Sequence, residues 1–105
     1  MIFRGLPVFF LLLMVWSSSV FAYNDIVVVE VDGAINPVVA EFVTNEISQA
    51  NASSAELVII QIDTPGGLDV SMRKIIKEIE NSRVPIASFV SPGGSRAASA
   101  GTFIT

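Results

Sequence analysis

The residues able to do chemistry in this sequence are one serine and two glycine-rich turns. Ser99 stands in Ala97-Ala98-Ser99-Ala100-Gly101, after the apolar run Pro85 to Val90 and the turn Ser91-Pro92-Gly93-Gly94. A strand that ends in a Gly-rich turn and opens a helix lifts a side chain out of its sheet. It also leaves unpaired N–H groups facing whatever lies there. Small neighbours on both sides let a second backbone or a substrate approach closely. That is a suitable setting for an activated serine nucleophile, although a Gly/Ser-rich strand end also fits an ordinary loop. Ser95 is the competing nucleophile. Its place directly after Gly93-Gly94 puts it in the turn before the helix, so it ranks below Ser99.

The second turn is Asp63-Thr64-Pro65-Gly66-Gly67. As a structural element it is a tight turn in which Pro65 fixes φ and a glycine supplies positive φ. As a functional element its glycine N–H groups form half of an oxyanion hole. The residues alone leave both readings open. Neither Gly-x-Gly-x-x-Gly nor a Walker lysine is present, so no nucleotide or other cofactor is assigned. Asp63 and Asp69 are not read as a catalytic carboxylate pair, because one ends a strand and the other caps or begins a helix.

Composition narrows the chemistry further. The 105 residues contain no histidine and no cysteine. That excludes a Ser-His-Asp or Cys-His arrangement within the sequence, along with disulfides and Cys-based zinc sites. No metal site is assigned. A net charge of −4 with six basic residues argues against nucleic-acid binding, which calls for a basic stripe.

The elements that must position these turns read in order. Ile26 to Val31 is β-branched and reads as a central strand. Asn36 caps a helix whose first position is Pro37, with Val39, Phe42, Val43 and Ile47 along its apolar face. The polar stretch Asn51 to Ser54 ends that helix, and Leu57 to Ile62 is a second buried strand. A helix over about Leu68 to Asn81 buries Met72, Ile75, Ile76 and Ile79. It wets Arg73, Lys74, Lys77, Glu78 and Glu80. Pro85 to Val90 is the third buried strand. The order β-α-β-α-β-(α) implies an α/β fold with a parallel sheet. Ligands of such sheets sit beyond the carboxyl ends of the strands, and both Gly-rich turns fall there.

Residues 1–22 differ from the rest. Arg4 precedes an apolar core from Leu6 to Trp16. A small, polar end with Val20 and Ala22 then fits a cleavage site before Tyr23. The apolar stretch is short for a bilayer span, so it reads as a signal peptide and the mature part as exported and extracytoplasmic (periplasmic). Without Arg4, residues 23–105 carry five basic and ten acidic side chains, a net charge of −5. These 83 residues are few for a parallel-sheet domain, whose strands need cover on both faces. The sequence stops at Thr105 inside an apolar segment. It therefore reads as a truncated domain, the N-terminal part of a longer protein.

Taken together, strand, Asp63-Thr-Pro-Gly-Gly67, amphipathic helix, strand and Ala97-Ala-Ser-Ala-Gly-Thr-Phe-Ile104 resemble the ClpP/crotonase superfamily. Within it they look closest to the membrane-bound serine proteases of the NfeD type. The resemblance covers Ile26 to Thr105. It implies Ser99 as nucleophile and the backbone N–H groups of Gly67 and Ala100 as oxyanion hole. It also implies a Ser-Lys dyad whose lysine lies downstream, where nothing past Thr105 is present to match it, so the fragment alone is expected to be inert. Lys74 and Lys77 lie on the wet face of a helix and are not promoted to that role. Arg96 cannot serve as the base, because guanidinium stays protonated; it contacts substrate backbone or faces solvent.

The resemblance further implies apolar peptide or membrane-protein segments as substrates, attachment to the membrane through a missing C-terminal part, a stomatin-like partner and homo-oligomerisation. Three other functions fit parts of the pattern: a non-catalytic ClpP-fold scaffold or partner-binding domain, a signal peptide peptidase-like protease, and a crotonase-type enzyme acting on acyl thioesters. The export signal counts against the last.

Overall fold

The computed structural model describes residues 25–105; the signal-peptide assignment to residues 1–22 lies outside them. In chain order the elements are β1 (Ile26–Asp32), α1 (Pro37–Ala52), β2 (Leu57–Asp63), α2 (Asp69–Asn81), β3 (Ile86–Val90) and α3 (Ala100–Ile104). The strands form a parallel sheet in the order β1-β2-β3. This is the α/β arrangement expected from the alternation of apolar runs and amphipathic stretches.

Register and burial together show one covered face. Val27, Val29 and Val31 pair with Val58, Ile60 and Ile62, and of these Val29, Val31, Val58, Ile60 and Ile62 are buried. Side chains alternate along a strand, so Ile26, Val28, Leu57, Ile59, Ala87 and Phe89 share the opposite face. There Ile26 is 56% exposed, Val28 58% and Phe89 60%.

Two strand expectations are corrected by this arrangement. Among the described residues Ile26 to Val31, read as central, lies at the edge of the sheet, and β2 occupies the middle. Pro85 to Val90, read as buried, has only Ile86 half-buried, while Ala87 to Val90 are exposed. The reason is the same in both cases. A β-branched run reports a backbone suited to a pleated surface with one face to bury. It does not report how many neighbours the strand has or whether the second face is covered.

Helix α1 begins as its sequence dictates. Asn36 adopts an extended backbone, and its Oδ1 accepts the N–H of Val39 at 2.8 Å, ahead of Pro37 in the first turn. Its buried stripe is Ala40, Val43, Thr44, Ile47 and Ala50. Phe42, expected on the apolar face, is instead 47% exposed. With 3.6 residues per turn it falls roughly 200° around the helix from Ala40, off the buried stripe. Helix α2 buries Met72 and Ile75, with Ile76 and Ile79 packed partly against the core, as expected.

The C-terminal end of α1 is tied to the entry of β3 by Asn51. Its Oδ1 accepts the N–H groups of Arg83 (2.8 Å) and Val84 (3.3 Å). Its Nδ2 donates to Ile47 O and Ser82 Oγ, both at 2.9 Å. Asn51→Ala would take the acceptor from the partly buried Val84 N–H and the exposed Arg83 N–H, and a stability loss of about 1–3 kcal/mol is expected. A lowered urea midpoint with unchanged m-value is the measurement that checks it.

Candidate active site

Two bends meet at the carboxyl edge of the sheet. β2 ends at Asp63 and continues into Thr64, which bridges to Ala97 in parallel fashion. Thr64 N–H donates to Arg96 O at 2.7 Å, and Ala98 N–H donates to Thr64 O at 3.1 Å. The Asp63 carboxylate adds a longer contact, accepting Arg96 N–H at 3.3 Å. The two glycine-bearing turns are therefore side by side and joined through the backbone.

Gly66 and Gly67 have separate tasks. Gly66 has φ +104, and a Cβ there would stand 2.6 Å from Ser99 Cβ and 2.9 Å from Ala98 O. The backbone of the serine turn rests on Gly66, and only a residue without a side chain allows that approach. Gly67 bridges to Ile35 on the other side. Ile35 N–H donates to Gly66 O and Leu68 N–H to Ile35 O, both at 2.9 Å. A Cβ at Gly67 would run into the Ile35 carbonyl. In such a bridge the flanking groups take the bonds, so the N–H of Gly67 points away from Ile35. Gly67 is exposed, and among the described residues its N–H has no backbone acceptor.

Ser99 is exposed and precedes α3 with φ 52° and ψ −117°. This is outside the wells open to ordinary L-residues and costs on the order of 1–3 kcal/mol. Bonds on both sides hold it there. Gly101 N–H donates to Ala98 O (2.9 Å), Thr102 N–H to Ser99 O (3.0 Å) and Thr102 Oγ1 to Ala97 O (2.9 Å). The Ser99 hydroxyl forms no capping bond. Ala100 N–H, like that of Gly67, has no backbone acceptor among the described residues. An exposed hydroxyl on a strained turn, with uncommitted N–H groups on that turn and on the one packed against it, is an arrangement in which a hydroxyl could attack a carbonyl and N–H groups could receive the oxyanion.

The remaining residues fall where the sequence placed them. Ser95 N–H closes a turn onto Pro92 O at 2.9 Å, short of the helix. Lys74 and Lys77 are exposed on α2, away from the two joined bends. Asp69 starts α2 and pairs with Arg73 at 2.8 Å, both side chains well exposed. The hydrogen bond from Asp69 raises the Arg73 pKa, but arginine is cationic regardless, so the pair is no pH switch. A groove of about 610 Å³ between α2 and α3, floored by Met72, Ile76 and Phe103, does not include Ser99.

Sequence reasoning missed Thr64 and Gly66. A Thr two residues before a glycine is a side-chain-to-backbone turn signal, which could have marked the first. The second shows itself only through contact with Ser99.

Parallel strands feeding two joined bends, one of them presenting a serine, define a ClpP-like protein. ClpP1 from Listeria monocytogenes is 25% identical over 73% of this chain and 44% of its own, with a TM-score of 0.68. The 1510-N membrane-bound stomatin-specific protease of Pyrococcus horikoshii is nearer still. A lysine-to-alanine variant of it, in complex with a substrate peptide, is 37% identical with a TM-score of 0.76, covering 80% of this chain and 38% of that one.

Residues 25–105 match the NfeD1b N-terminal domain, and the chain belongs to that family. In sequence it is 35% identical to the membrane-bound protease PH1510 of Pyrococcus horikoshii over 94 residues, 90% of this chain and 21% of that protein. The chain thus spans about a fifth of the length of the curated relatives it matches. The resemblance to NfeD-type proteins of the ClpP/crotonase superfamily is confirmed.

Proposed function

We propose that this chain carries the nucleophile and oxyanion hole of a membrane-associated, extracytoplasmic Ser-Lys endopeptidase that cleaves apolar peptide segments. Ser99 attacks the scissile carbonyl, and the N–H groups of Gly67 and Ala100 receive the developing negative charge. The observation that carries this reading is the strained, exposed Ser99 resting on Gly66, with both N–H groups uncommitted.

The proton acceptor is a lysine in the part of the protease domain that this chain does not span. The substrate-bound lysine variant of 1510-N supports a lysine at such a site. A lysine base needs a lowered pKa, which desolvation supplies. Without it the serine is a poor nucleophile, so the chain alone is inert. Residues 1–22 are an export signal, and the domain works on the extracytoplasmic side of a membrane. A stomatin-like protein is its partner or substrate, by analogy with the stomatin-specific relative. The open sheet face bearing Ile26, Val28 and Phe89 supports self-association of the complete protein.

A fluorophosphonate probe tests the nucleophile. In the whole protein it should modify Ser99, located by peptide mass mapping. Modification of Ser95, or of no serine, would overturn the assignment.

A further inference from the structure

We propose that Thr64 is the positioning residue that sets the reactive geometry of Ser99, its hydroxyl ordering the Gly66-Gly67 turn and its methyl fixing the first turn of α3. This rests on the serine-protease reading given above and adds to it a residue that touches neither substrate nor oxyanion.

Thr64 is a polar residue with no exposure at all. Every group it carries is engaged. Its backbone N–H and C=O hold Arg96 and Ala98. Its Oγ1 accepts the N–H of Gly66 at 3.1 Å and lies 3.4 Å from Gly66 O. Its methyl faces Gly101, where a Cβ would stand 2.5 Å from Thr64 Cγ2.

The hydroxyl therefore decides which glycine N–H is left over. With the Gly66 N–H taken by Thr64 and the Gly66 carbonyl taken by Ile35, the free donor on that turn is Gly67. Without the hydroxyl a buried N–H loses its acceptor, and the turn gains a reason to rotate toward another one. The methyl acts on the other half. It fills the space beside Gly101, the residue after Ala100, and so sets how far α3 stands from β2. One buried side chain thereby sets the spacing between the turn that carries Gly67 and the turn that carries Ser99 and Ala100.

The two functions of the side chain separate by substitution. Thr64→Val keeps the methyl and removes the hydroxyl; Thr64→Ser does the reverse. Gly101→Ala brings a Cβ against the Thr64 methyl, and the double variant Thr64→Ser/Gly101→Ala makes room for it. The measurement is kcat and KM of the whole protein on an apolar peptide, with amide hydrogen exchange at Gly66 as a readout that needs no chemistry.

Thr64→Val is expected to lower kcat by about 10- to 100-fold with little change in KM, as a small misplacement of reacting groups does. Thr64→Ser, which keeps the hydroxyl but loses the methyl, should lower kcat less than Thr64→Val does. Exchange at Gly66 should rise in Thr64→Val and stay slow in Thr64→Ser. Gly101→Ala should lower kcat, and adding Thr64→Ser should restore part of it.

A Thr64→Val protein with wild-type kcat and a slow Gly66 amide would overturn the proposal, as would a Gly101→Ala defect indifferent to Thr64→Ser. If the wild type shows no Ser99-dependent cleavage, the protease reading fails separately. The exchange data then still decide whether Thr64 orders the turn.

Discussion

Gly66→Ala is expected to destabilise the domain by about 2–5 kcal/mol and to abolish measurable cleavage by the whole protein. Two costs combine. At φ +104 an alanine is strained by about 1–2 kcal/mol. The new methyl would also stand 2.6 Å from Ser99 Cβ, 2.9 Å from Ala98 O and 3.1 Å from Ala100 N. None of these is the loose end of a long side chain that swings aside. Overpacking against such neighbours costs about 1–3 kcal/mol. The atoms that must move are those of the Ser99 turn, and in the proposed protease displacing reacting groups by about 1 Å costs on the order of 100-fold in rate. Thermal unfolding and peptide cleavage together check it: a Gly66→Ala protein with unchanged Tm and unchanged kcat would mean the turns are not in contact.

That contact marks the boundary of what the amino-acid order reveals. The cap at Asn36, the helix over Asp69 to Asn81 and the α/β alternation are local features, fixed by residues within a turn or two of one another. They were legible for that reason, and so was the place of both Gly-rich turns at the carboxyl ends of parallel strands. The division of labour between Gly66 and Gly67 was not legible. It depends on which glycine meets Ser99 and which meets Ile35, and those partners come from opposite directions along the chain. Thr64 was overlooked on similar grounds, since its methyl has meaning only once Gly101 is beside it. The open faces of β1 and β3 were misread because an apolar β-branched run looks the same whether one face or both are covered.

Phe42 carries a related lesson. Its spacing from Val39 and Val43 fits an apolar helical face, yet the buried stripe runs through Ala40, Val43, Thr44, Ile47 and Ala50. The ring left outside is, with Ile26, Val28 and Phe89, part of the apolar surface this chain exposes.

The second large effect belongs to Ser99 itself. Its backbone sits in a strained region held by bonds from Gly101 and Thr102. Removing the hydroxyl deletes no hydrogen bond of the described fold and should leave stability close to wild type. Alanine adopts that backbone no less readily than serine, so the turn should persist with its reactive atom gone. In the proposed protease, loss of this hydroxyl would eliminate the covalent route entirely. What is left is the modest help of the oxyanion hole, and a fall of about 1000-fold or more in kcat is expected.

The most direct measurement is therefore cleavage of an apolar peptide by the whole protein and by its Ser99→Ala variant at matched concentration. Cleavage by the wild type and none detectable from a folded Ser99→Ala protein is the predicted result. Equal cleavage by the two, or none by either, would contradict the assignment of this chain's serine turn as the seat of a protease.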